Sequence, residues 1–310
     1  MSIWEHVGEF AGLPVRDFVP GEGLTDPAGT AYRLSVDHAN ADGESMFEHF
    51  WGLSPDDPAC GQIVALVIGD WHQIDNETGA ADVIAALAAA RDRLPALRAL
   101  FIGDITSDEF EISWIRQADV TPILTAYPAL ENLRIRGGEG LALGPVRHDG
   151  LRALVIESGG LPASVVRSVC AAEFPNLEHL ELWLGSEDYG GDATPQDLAP
   201  ILSGAVFPRL KYLGLRDCEW ADALAAALAD APVLRRIETL DLSLGTLGDE
   251  GAVALLSGGN LSGLKRLDIH HHYVSDEVLD GLKGTGVELN AEDPQDPSEN
   301  DGYRYIAVSE

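Results

Sequence analysis

The residues best equipped for chemistry stand late in the chain. His270-His271-His272 ends a short apolar stretch, and in extended backbone His270 and His272 share one side. Asp268 precedes His270 by two residues, and Asp241 holds the same place 27 residues earlier. Two imidazoles and two carboxylates form a donor set that zinc accepts. Neighbouring residues of one strand seldom converge on one ion, however, and this spacing matches no standard site, so no metal or cofactor is assigned. The expected role of these histidines is an exposed, mildly pH-sensitive turn. A metal-binding or accessory-enzyme use of His270, His272, Asp241 and Asp268 is the rival reading. A second concentration is Trp183, with Glu181 two residues before it and Arg216 33 residues after it. Aromatic and Arg side chains together are typical of binding hot spots. Gly137-Gly138-Glu139-Gly140 resembles part of a phosphate loop but lacks the Lys-Ser/Thr and helix start that such a site needs. No Gly-x-Ser-x-Gly elbow or Cys/His pair offers a nucleophile, so no catalytic residue is expected.

What positions these residues is a repeat. Leu-x-x-Leu-x-Leu/Ile recurs at Leu97, Leu130, Leu151, Leu177, Leu210, Ile237 and Leu264, with a degenerate copy from Ile63. The start-to-start spacings are 34, 33, 21, 26, 33, 27 and 27 residues, mostly within or near the leucine-rich-repeat range of about 20–29. Within each copy the pattern has period two, so Leu100 and Ile102 face one side and Ala99, Phe101 and Gly103 the other. One coil cannot bury three aliphatic side chains alone. Coils therefore stack, and their strands pair in parallel.

The intervening segments read mostly as helices. Ala80–Arg93 is Ala-rich and stops before Pro95; Thr121-Pro122 and Thr194-Pro195 look like helix starts. Gly248-Asp249-Glu250 and Ser275-Asp276-Glu277 place acids where a helix N-terminus favours them, so part of the negative charge is structural. Pro95, Pro128, Pro175 and Pro208 each stand two residues before the next leucine and break the preceding helix. Leu141–Gly150 is too short for a regular helix.

The chain has 310 residues, with 20 basic and 51 acidic side chains and a formal net charge of −31. Such a field repels phosphate backbones and anionic lipids, so nucleic acid and membrane are excluded as expected partners. Three scattered cysteines, no leading apolar segment and no long apolar run imply a cytoplasmic protein. The Arg and Ala bias fits a bacterial source. Residues 1–62 lack the repeat and are expected to cap the solenoid, with a strand at Tyr32–Val36 and an amphipathic helix at Ser45–Trp51. Residues 63–285 form about eight repeats. Residues 286–310 are expected to close the other end, with Val287–Asn290 and Tyr303–Val308 as capping strands around an acidic loop.

Leu240-Asp241-Leu242-Ser243-Leu244-Gly245-Thr246-Leu247-Gly248-Asp249-Glu250-Gly251 resembles the strand, loop and helix start of ribonuclease-inhibitor-like leucine-rich repeats. Glu111–Ile115, Leu180–Gly185, His270–Tyr273 and Tyr305–Glu310 resemble blocks of an uncharacterised bacterial leucine-rich-repeat family. The chain departs from the general consensus in lacking the usual Asn after most strands. The resemblance implies an α/β solenoid, a horseshoe with a parallel sheet on its concave face and helices on its convex face. Alternation then assigns the concave wall. One column reads Val67, Phe101, Arg134, Val155, Glu181, Gly214, Asp241, Asp268, and the next Gly69, Gly103, Arg136, Glu157, Trp183, Arg216, Ser243, His270. Eight strands about 4.8 Å apart span roughly 35–40 Å, which suits a protein or extended peptide. Phe101, Arg134, Arg136, Glu181, Trp183, Tyr212, Arg216, Asp241, Asp268 and His270 are the candidate contacts, for a partner with a basic patch. On this reading Trp183→Ala with Arg216→Ala weakens the complex and leaves the melting transition nearly unchanged.

Overall fold

The computed structural model describes residues 3–19, 22–35, 59–71 and 79–309, in two compact units, Met1–Ala153 and Leu154–Glu310. The helix expected over Ser45–Trp51 lies outside the described residues.

The first unit opens with a hairpin. Strand β1 (Glu9–Phe10) pairs antiparallel with β2 (Leu13–Asp17) across Ala11-Gly12, whose φ angles are 52° and 78°. Two successive left-handed residues give the turn a twist that matches the strands it joins. Strands β3 (Ala31–Leu34), β4 (Ala65–Ile68), β5 (Ala99–Ile102) and β6 (Asn132–Arg136) follow in chain order, each parallel to the one before. The register sets Leu66 beside Leu100 and Leu133, and Ile68 beside Ile102 and Ile135, all six buried. Tyr32 and Leu34 extend both rows, so the ladder starts one coil before the repeat becomes legible.

The second unit carries β7 (Ala153–Glu157), β8 (His179–Gly185), β9 (Tyr212–Cys218), β10 (Thr239–Asp241), β11 (Arg266–Asp268) and β12 (Glu288–Asn290). From β8 to β12 each strand is parallel to the next, and Leu180, Leu213, Leu240, Leu267 and Leu289 fall in register. Leu133, Leu180 and Leu240 are buried on parallel strands, as stacked coils require.

Pro95, Pro128, Pro175 and Pro208 each lie inside a turn that hands the chain to the next strand. The N–H groups of Leu97, Leu130, Leu177 and Leu210 donate to the carbonyls of Leu94, Tyr127, Phe174 and Phe207, three residues back. Proline thus occupies the second turn position, where its fixed φ is favoured. Return helices are α1 (Ala81–Ala89), α2 (Thr121–Ala126), α3 (Ala163–Ala171), α4 (Ala199–Leu202), α5 (Ala221–Ala229), α6 (Asp249–Gly258) and α7 (Asp276–Lys283). Residues 141–150 hold no helix. Acids from one coil cap the helix of the next: Asp222 of α5 accepts from the Gly248 and Gly251 amides at 2.7 and 3.1 Å, and Asp249 accepts from Ser275 at 2.7 Å. These carboxylates satisfy donors that a helix start leaves unpaired.

Two expectations are corrected. Thr194-Pro195 begins a turn, not a helix: Asp197 bonds back to the Thr194 amide and hydroxyl at 2.9 and 2.8 Å, and α4 begins only at Ala199. Pro200 has no N–H to join that turn to the helix. Residues 303–308 form no strand; their amides are received by the Tyr273 hydroxyl, the Leu244 carbonyl and Asp217.

Candidate functional site

The face of the second unit opposite the leucine ladder carries a connected polar network on β8, β9 and β10. Trp183 Nε1 and Arg216 Nη1 both donate to Glu181 Oε1, at 2.7 and 2.8 Å. Arg216 Nε donates to Ser243 Oγ at 2.9 Å and lies 3.4 Å from Asp241 Oδ2, to which the Tyr212 hydroxyl donates at 2.6 Å. The Arg216 guanidinium also sits over the Trp183 ring, 5.1 Å from its centre. Strand register makes this possible, because Trp183 pairs with Arg216 and Gly214 stands between Glu181 and Asp241. A Cβ at Gly214 would approach the Glu181 and Tyr212 side chains to 3.1 and 3.0 Å.

Burial and pairing fix the protonation states. Burial alone would raise the Glu181 carboxyl, but hydrogen bonding from His179, the Arg216 charge and the bonds from Trp183 and Arg216 hold it well below the ordinary carboxylate range. Burial, followed by the carboxylates of Glu181 and Asp241, pushes the Tyr212 phenol far above its usual value, so it remains a donor. One coil further on, Asp268 accepts from His270 Nδ1 at 2.7 Å, Arg266 Nη2 at 2.9 Å and Asn290 Nδ2 at 3.0 Å. The bonds from His270 and Asn290 outweigh burial and hold its carboxyl low as well.

The structure therefore corrects the sequence assignment in one respect. Glu181, Trp183, Arg216, Asp241 and Asp268 do come together, but all five are buried, with Trp183 only 1% exposed. They form the foundation of the surface rather than the surface itself. More open is the row one step earlier on each strand, adjacent in register: Arg266 and Glu288 are exposed, and His179, Tyr212 and Thr239 are half-buried. The His179 ring stacks on Tyr212 with centres 4.0 Å apart and planes 5° from parallel. The side chains of His179 and Arg266 are 35% and 44% exposed. Apart from Tyr212, sequence reasoning missed this row, although 179, 181 and 183 share one parity and so one face.

In the first unit the corresponding candidates are not accessible. Phe101 is fully buried, in a cluster with Phe10, Ala31, Ala65, Val67 and Ala99 against which Val7, Leu13 and Val15 of the hairpin region pack. The rings of Phe10 and Phe101 lie 5.9 Å apart. Arg134 lies over the Phe101 ring at 4.4 Å, Arg136 donates to the Ile105 carbonyl at 2.7 Å, and both are buried. The chain thus covers this stretch of sheet with its own residues.

The histidine run divides. His270 stays on the sheet face with Asp268, His271 takes a left-handed φ of 58°, and His272 turns inward. His272 Nδ1 accepts from the Val274 amide and Nε2 pairs with the Ala291 carbonyl, at 3.0 and 3.2 Å, so both ring nitrogens are engaged. Burial lowers its pKa, consistent with a neutral ring. Among the described residues no group of three or more His, Cys, Asp or Glu side chains could hold a metal ion. None of the described helices is long and apolar enough to cross a membrane.

Strands parallel in chain order, a buried leucine ladder and helical returns define a leucine-rich-repeat protein of the α/β class. A Bacteroides fragilis protein of known crystal structure aligns with a TM-score of 0.80 and 31% identity, over 90% of this chain and 77% of that one. The chain belongs to the same family as that protein. An internalin from Listeria monocytogenes aligns at a TM-score of 0.31 and 14% identity, over 77% and 82% of the two chains. No family model and no curated protein matches.

Proposed function

We propose that the protein is a non-catalytic interaction module of the ribonuclease-inhibitor-like type that holds a protein or extended peptide on the open face of its second unit. The observation that carries this reading is the partly exposed row from His179 to Glu288, in which His179, Tyr212 and Arg266 are tied to the buried carboxylates Glu181, Asp241 and Asp268. Preorganised aromatic and Arg side chains lose little freedom on binding. The partner is basic: Glu181, Asp241 and Asp268 lie directly behind the row, and the chain as a whole carries −31, which speeds encounter at low salt. The three thiols are free and buried, which fits a cytoplasmic setting.

The test uses His179→Ala with Arg266→Ala. Both side chains are partly open; the Arg266–Glu288 pair is of the exposed kind that contributes little to stability, and Asp268 keeps its bonds from His270 and Asn290 when Arg266 is removed. Partners retained by the wild-type chain from a lysate of the source cells are identified, and the variant is compared at equal loading. The expected result is at least tenfold less of the retained partner, through the loss of the stacked ring and the Arg contact, with a melting temperature lowered by no more than a few degrees. Equal retention by the variant moves the contact off this row.

A further inference from the structure

The loop between β5 and α2 in the first unit holds an indole in the open. Trp114 ends a single 3₁₀ turn, Ile112–Trp114, and is 58% exposed, while Ile112 and Ile115 on either side of it are buried. The turn is thus anchored to the core by its isoleucines, and the ring is left over.

Residues 106–110 stand beside it as a closed turn. The Glu109 and Phe110 amides donate to the Thr106 carbonyl at 3.0 and 2.9 Å. Glu109 Oε2 accepts from the Thr106 amide and hydroxyl at 2.8 and 3.1 Å, the side-chain half of a capping box. The Ser107 amide donates to the Ile3 carbonyl at 3.0 Å, which ties the turn to the start of the chain. The Glu109 carboxylate is therefore fixed in place.

Ser107, Glu109, Phe110, Glu111 and Trp114 line a cavity of about 380 Å³, so two aromatic rings and two carboxylates share one wall. Their charge is only partly met. His6 Nε2 lies 3.3 Å from Glu109 Oε1, but the carboxylates of Glu111 and of neighbouring Asp108 have no partner among the described residues. An anion is repelled by such a wall, and a neutral apolar ligand would strip water from the carboxylates without replacing it. A cation answers both features: the face of an indole attracts positive charge, and carboxylates accept charge-assisted hydrogen bonds.

We propose that this cavity is a second docking site, which takes the Lys or Arg side chain of a partner protein with its charge over the Trp114 ring and its donors on Glu111 and Glu109. None of these residues belongs to the second unit, so this site and the open face stand or fall separately.

The test uses the full chain, isotope-labelled for NMR, and end-blocked peptides Gly-Ser-X-Ser-Gly in which X is lysine, norleucine or glutamate. The Trp114 indole N–H signal, assigned by its absence from Trp114→Leu, reports the site. The lysine peptide is expected to shift that signal saturably in the millimolar range, and the norleucine and glutamate peptides are expected not to. Glu111→Gln, at an exposed position, is expected to weaken lysine-peptide binding about threefold. His179→Ala with Arg266→Ala is expected to leave it unchanged. A shift by the norleucine peptide equal to that by the lysine peptide, or lysine-peptide binding indifferent to Glu111→Gln, overturns the proposal.

Discussion

Replacing Arg216 by Met separates a structural network from a contact surface. The guanidinium bridges Glu181 and Asp241, and all three side chains are buried. Met keeps the aliphatic volume but leaves two carboxylates facing each other and the Ser243 hydroxyl without its donor. Removing one partner of a buried ion pair costs about 3–5 kcal/mol, and a kilocalorie shifts melting by about 2–4 °C in a unit of 150 residues or more. A loss on the order of 10 °C is therefore expected, whereas an exposed contact residue would give almost none. The same variant changes the acid limb. In wild type the folded-state pKa of Glu181 lies below its unfolded value of about 4.3. Its contribution is therefore complete above that value and is lost as pH falls towards the folded pKa. Without Arg216 the folded-state pKa moves up towards or past the unfolded value, so the loss of stability that this group gives on acidification shrinks or reverses. Urea unfolding followed by tryptophan fluorescence from pH 3 to 8 measures both effects. Glu181→Gln combined with Arg216→Met recovers part of the loss, because the pair no longer leaves an isolated charge. A single-variant cost below about 1 kcal/mol, with an unchanged acid limb, would refute the network and restore Trp183 and Arg216 as contacts.

Two further outcomes test the packing. Phe101→Ala removes the ring that packs against Phe10 and Arg134, and urea unfolding should show a loss of about 3–5 kcal/mol; a loss near zero would mean that the hairpin does not cover the sheet. Gly137→Ala places a methyl 2.6 Å from the Ile115 carbonyl at a φ of 106° and should cost more than about 1 kcal/mol. Gly61→Ala, with nothing within 4 Å, should stay within about 0.5 kcal/mol.

Leucine positions were readable from sequence because burial imposes parity, and a repeat presents the same parity many times. Depth is a different quantity. Alternation placed Trp183 and Arg216 on the correct face, but their long side chains lie along the sheet and bury one another, which no count of positions reveals. The hairpin over Phe101 escaped for another reason: Ala11-Gly12 is not one of the usual two-residue turn pairs, and the segment carries no repeat to be compared with. Residues 303–308 have the composition of a strand but form none. They suit extended backbone, but what receives their amides is a carboxylate, a phenol and a turn carbonyl, not a strand edge. The acids show how far charge can mislead. Asp222, Asp249 and Asp276 recur every 27 residues, and the first two bond amides at the start of the next helix. Glu181, Asp241 and Asp268 are paired within the sheet face. A net charge of −31 therefore overstates what a partner meets.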